Sequence, residues 1–180
     1  SRADQRIAHF MKWIVPLIAS AVAAQAKPNI VFILADDLGY GELGAYGQTK
    51  IKTPNIDQLA KEGIRFSHHY TGAPVCAPAR CVLLTGQHLG HAEIRSNGDS
   101  KNGRQFPGQW PITDQALTIA EVLKSAGYVT GGFGKWGLGP TDSSGSPMTQ
   151  GFDRFYGYNC QRNAHSFYPP FLDDDSGVEV

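Results

Sequence analysis

Cysteine is scarce in this chain: three residues in 180, at positions 76, 81 and 160. An odd count leaves one thiol over from any disulfide set, and no Cys-x-x-Cys pair or ordered Cys/His spacing supports structural zinc. An excess of one charge sign is also missing, since 16 basic residues balance 16 acidic ones for a formal net charge of +0. Bulk electrostatics therefore draw the chain towards neither nucleic acid nor anionic lipid. No repeat of solenoid period and no low-complexity tract is visible. The apolar stretch from Trp13 to Ala24 falls short of the roughly 20 residues a membrane span needs, so no stable membrane anchor is expected.

What is present, 41% hydrophobic against 18% charged residues, suffices for one ordinary domain core. Met11-Lys12 precedes the apolar stretch, and Ala24-Gln25-Ala26 follows it. A basic start, a short apolar run and an Ala-x-Ala site predict a signal peptide over residues 11–26, cleaved after Ala26, and hence an exported protein, periplasmic or secreted. A buried or membrane-anchoring helix is the alternative. Residues 1–10 read as sequence upstream of the start. Residues 27–180 read as a single domain, incomplete at its C-terminal side because Phe171–Val180 carries no capping element.

Ile30 to Ala35 is a continuous apolar run, suited to a central strand covered on both faces, and it ends at Asp36-Asp37. Thr53-Pro54 opens a helix that Gly63 stops, with Ile56, Leu59 and Ala60 on one face. Ile64 to Tyr70 alternates as a strand does. Ala116–Ala126 has Ile119, Val122, Leu123 and Ala126 at helical spacing, and Tyr128 to Phe133 returns as a short strand. Strand, helix and strand in alternation predict an α/β domain, with a mostly parallel central sheet flanked by helices.

Asp36-Asp37 stands at the end of the first expected strand, where ligands of open α/β sheets gather. Adjacent carboxylates repel unless a positive group lies beside them, and a hard cation, Ca²⁺ or Mg²⁺, meets that need. A solvated turn or a helix cap would use the same pair. Further on, Pro78 suits the first turn of a helix that Gly86 ends, which puts Cys76 just before the helix start. Free N–H groups and the positive dipole end favour an anion such as sulfate or phosphate there. Arg80, one turn on, is near enough to pair with anionic oxygens. A buried structural cysteine on a core helix is the other reading of these residues.

Cys76-x-Pro78-x-Arg80 followed by Leu84-Thr85-Gly86 resembles the signature of the type I sulfatases of the alkaline-phosphatase superfamily. Asn29 to Gly39, Thr53 to Asp57, Gly63 to Phe66 and Gly134-Lys135-Trp136 resemble further segments of that family, in the same order. The resemblance implies that a maturation enzyme oxidises Cys76 to formylglycine and that Asp36, Asp37 and the modified Cys76 hold Ca²⁺. It implies that Arg80 neutralises charge and orients the formylglycine, and that Lys135 contacts the sulfate oxygens. The implied activity is hydrolysis of a sulfate ester, from a sulfated sugar or a simple aryl compound.

Two departures stand out. Where the family often has His two residues after this lysine, this chain has Gly137, and His165 is the candidate to compensate or to contact substrate. The family's downstream metal pair and second lysine have no counterpart in residues 1–180, so the chain alone is expected to be inactive. Two competing functions remain: a phosphonate monoester or phosphodiester hydrolase of the same superfamily, and a non-catalytic exported domain. If Cys76 is the nucleophile, Cys81 and Cys160 are the one pair left for a disulfide.

Overall fold

The computed structural model describes residues 26–100 and 108–176, and the chain divides into two units, residues 1–38 and 39–180. The expected signal peptide, apart from Ala26, lies outside the described residues. In the first unit, residues 26–38 run without helix or strand. This corrects the expectation of a buried central strand from Ile30 to Ala35. Val31 and Ile33 are more than four-fifths exposed. A run of β-formers becomes a strand only when a neighbour accepts its backbone hydrogen bonds, and among the described residues none pairs with it.

In the second unit, two short 3₁₀ turns, Tyr40–Glu42 and Gly44–Tyr46, precede helix α1 (Pro54–Glu62). Pro54 opens α1 because the first turn needs no N–H from it. Asp57 in that turn accepts from the Ala45 amide at 2.6 Å, and Thr53 Oγ1 accepts from the Gly44 amide at 2.9 Å, which ties the helix to the preceding loop. The expected apolar face is not buried, since Ile56 and Leu59 remain exposed. Residues 64–70 form no strand either and lie exposed, for want of a ladder partner among the described residues.

Helix α2 (Cys76–Thr85) ends at Gly86, whose left-handed φ of 65° closes the last turn with a bond from its N–H to the Val82 carbonyl. The two-residue strands β1 (Asp99–Ser100) and β2 (Gly108–Gln109) pair antiparallel. Helix α3 (Ile119–Ser125) starts at Thr118 in a capping box: the Glu121 amide donates to Thr118 Oγ1 at 3.3 Å, and the Thr118 amide donates to Glu121 Oε2 at 2.8 Å. Its buried residue is Ala120, with Ala116 just before it, whereas Ile119 and Val122 are exposed.

Strands β3 (Gly131–Lys135) and β4 (Arg154–Tyr158) pair in parallel over five residues, and β4 pairs antiparallel with β5 (Asp173–Asp174). Among the described residues the sheet is therefore mixed, with its longer ladder parallel. Gly134 faces Gly157 in that ladder, and a Cβ at Gly157 would lie 2.6 Å from the Gly134 nitrogen, so the strands approach this closely only with glycine there. A four-residue helix, α4 (Gln161–Ala164), follows β4 directly.

The core joins α2 to the end of β3. Ala77 and Cys81 from the helix pack with Ala92, Ile112, Trp136, Leu138 and Phe155. Trp136 donates from Nε1 to the Gly145 carbonyl at 2.8 Å and meets Phe152 edge-on at 5.6 Å between ring centroids. Burial of Ala77 and Cys81 fixes the rotation of α2, and that decides where Cys76 points.

Candidate active site

Cys76 is the first residue of α2, with Val75 as N-cap, rather than the residue before the helix as the sequence suggested. Pro78 falls at the third helical position, still inside the turn whose N–H groups have no intrahelical acceptor. One of those groups is used: the Ala77 amide donates to Asn97 Oδ1 at 3.0 Å.

Arg80 is buried, and its guanidinium spans two backbone carbonyls: Nε donates to Lys135 O at 2.8 Å and an Nη donates to Cys76 O at 3.2 Å. A buried cation is tolerable only when hydrogen bonds replace its water. These bonds tie the start of α2 to the end of β3. Lys135, the last residue of β3, then reaches Cys76, with Nζ 3.5 Å from Sγ. On its other side Lys135 Nζ lies 3.0 Å from His165 Nε2, at the C-cap of α4. Cys76 and Arg80 on one helix, Lys135 and His165 are thus linked by direct contacts. Lys135 ends β3 and α4 follows β4, so both lie at the carboxyl ends of the parallel pair, where α/β sheets place ligands.

His68, His69, His88 and His91 are all exposed. Cys81 sits in the core, where burial pushes its thiol pKa up, as for an inert structural cysteine. Cys81 and Cys160 are both free thiols, so the disulfide considered from the sequence is not formed. Sequence reasoning passed over Asn97 and Gln161. Nothing in the Ser96-Asn97-Gly98 turn pattern signals that Oδ1 would cap a helix 20 residues earlier.

Asp36 and Asp37 lie in the first unit, exposed at a bend, with Asp37 in the left-handed region at φ 58°. Their oxygens are the donor type of a hard cation, but two carboxylates fall short of the six to eight oxygens Ca²⁺ takes. Among the described residues no group of three or more His, Cys, Asp or Glu side chains gathers as a metal centre.

The Sulfatase family profile matches residues 28–175. Human arylsulfatase D is 44% identical over 158 residues, covering 82% of this chain and 26% of its own length. The crystal structure of Ps i-CgsB superposes with a TM-score of 0.70 at 32% identity, over 86% of this chain and 37% of that one. BT4656, solved in complex with its substrate D-glucosamine-2-N,6-O-disulfate, gives a TM-score of 0.64 at 31% identity, over 86% of this chain and 27% of that one. The chain spans about a quarter to a third of the curated relatives it matches. The α/β class read from the sequence is the fold shared with these sulfatase structures. With the match running unbroken through the cysteine helix and the lysine strand, the chain belongs to the sulfatase family.

Proposed function

We propose that the protein containing this chain is a sulfuric ester hydrolase whose nucleophile is formylglycine made from Cys76. The observation that carries the reading is the Lys135 ammonium 3.5 Å from Cys76 Sγ at the first turn of a helix. The positive end of the helix dipole and an ammonium together favour an anion such as the sulfate group of an ester.

A formylglycine hydrate supplies two hydroxyls on one carbon, one to attack sulfur and one to release sulfate by restoring the aldehyde. Arg80 holds the backbone at Cys76 and Lys135 in register, so that the nucleophile and the ammonium face the same ester. Lys135 offsets charge on the sulfate oxygens as the sulfur–oxygen bond to the alcohol lengthens, a contribution of about 3 kcal/mol for a single well-placed donor. In this reading His165, in contact with Lys135, passes a proton to or from the reacting oxygens. Asp36 and Asp37 would supply oxygens to Ca²⁺, which takes further ligands beyond this pair, and the ion would act as a Lewis acid. A sulfated carbohydrate is the substrate class we favour, because BT4656 is a structural neighbour in complex with a sulfated glucosamine. Export to the periplasm or beyond, directed by residues 11–26, fits such a polymer-derived substrate. No helix among the described residues is long and apolar enough to cross a membrane.

Mass spectrometry of the full-length protein, expressed with the formylglycine-generating maturation enzyme, tests the nucleophile. The Cys76 peptide is expected to lose roughly 18 Da as thiol becomes aldehyde (the mass balance of the side-chain oxidation). An unmodified thiol in an active preparation would rule the proposal out. Turnover of an aryl phosphonate in preference to an aryl sulfate would favour the phosphonate or phosphodiester hydrolase instead.

A further inference from the structure

We propose that Gly137 and Gln161 act as a matched pair that positions His165 against Lys135. Gly137 follows β3 by two residues in a left-handed conformation, φ 84°. A Cβ there would come within 2.8 Å of both Cγ and Cδ of Gln161. The glycine therefore leaves a space at the strand end, and the Gln161 side chain fills it. Gln161 is only 2% exposed, and its backbone N–H donates to the buried Gln109 Oε1 at 2.7 Å. The start of α4 is thus pinned both by its side chain and by its backbone.

Four residues later, one helical turn, the His165 N–H bonds to the Gln161 carbonyl at 3.2 Å, and the imidazole meets Lys135 Nζ at 3.0 Å. With so short a helix, the position of His165 is set by where its first residue is anchored. Gln161 Nε2 is buried and has no acceptor among the described residues. The packing that its side chain does show is against Gly137. What it contributes is volume against Gly137. Gln161 is a positioning residue, acting through His165.

The inference rests on the reading of Lys135 and His165 as site residues, and its test separates the two. Crystal structures and steady-state kinetics on a sulfate ester are compared for the full-length protein and its Gln161→Ala, Gln161→Met, Gly137→Ala and His165→Ala variants. Gln161→Ala and Gly137→Ala are expected to part His165 from Lys135 beyond hydrogen-bond reach and to lower kcat about tenfold or more with KM little changed. Gln161→Met, which keeps the volume and drops the donor, is expected to keep both the contact and the rate. In the His165→Ala background, Gln161→Ala is expected to cost nothing further. Retention of the His165–Lys135 contact in Gln161→Ala, or a full additional loss in the double variant, would overturn the pairing while leaving the site reading intact. If His165→Ala alone leaves kcat unchanged, the reading of His165 fails, and the inference with it.

Discussion

At the scale of single residues, Arg80 shows how geometry refines a motif. The sequence pattern offered a cation one turn from Cys76, apt for anionic oxygens, and the guanidinium also donates to the carbonyls of Lys135 and Cys76. Its planar, forked donors reach two acceptors at once, which a lysine ammonium on a flexible stem does not reproduce. Arg80→Lys is therefore expected to cut kcat/KM by about 10² or more, comparable to losing a transition-state donor, measured against the same sulfate ester. Lys135→Ala is expected to be at least as damaging, with Cys76 still converted to formylglycine, because Lys135 lies outside the Cys-x-Pro-x-Arg segment. Cys76 and Arg80 could be singled out from their spacing at a helix start, and Lys135 from the family resemblance alone; the structure adds that all three touch. The Lys135–His165 contact was not legible, since 30 residues of chain separate them and only the sheet brings them together.

At the scale of elements, local chemistry decided what formed. Helix α1 was readable from Pro54 after Thr53, and α3 from the apolar spacing across Ala116–Ala126, although its start is set at Thr118 by the capping box with Glu121. Thr118→Ala removes the cap and a bond from Thr118 Oγ1 to the Gln150 carbonyl at 2.7 Å. A loss of about 1–2 kcal/mol is expected in chemical denaturation, with the larger value because the hydroxyl is buried. Strands were read less well. Ile30–Ala35 and Ile64–Tyr70 have strand composition but no ladder partner among the described residues, whereas the strand expected from Tyr128 to Phe133 does form, shifted onto glycine-rich Gly131–Lys135, where β4 lies beside it. Pairing overrides composition in both directions. Gly157→Ala is expected to break the β3–β4 ladder at Gly134, which circular dichroism and loss of soluble protein would report.

At the scale of the whole molecule, two carboxylates give the second unit an opposed response to pH. Lys124 is the main cause holding Asp153 down to about 2, through a 2.6 Å ion pair, with the Thr130 amide adding to it. Its contribution is present above the ordinary carboxylate value of 3.8 and is lost as pH falls towards 2; being solvent-exposed, it is small. Asp173 is the reverse: burial raises its pKa, despite bonds from the Asn159 amide and the Thr141 hydroxyl. Its contribution is present below the ordinary value and is lost as pH rises through the raised one. Asp173→Asn, which can keep an oxygen facing the Asn159 amide, is expected to melt higher than the parent at neutral pH. That advantage is expected to vanish in thermal melts taken below pH 4 or so.

Residues 30–34 leave isoleucine, valine, phenylalanine and leucine side chains in water, along a backbone whose amides and carbonyls have no partner among the described residues. Such a ribbon is adhesive: two copies meeting there can zip together through the groups that each leaves unsatisfied. Preparations of these 180 residues alone are accordingly expected to turn cloudy on concentration, and Val31→Lys to clear them. Light scattering that stays flat for the parent chain would show the ribbon to be shielded.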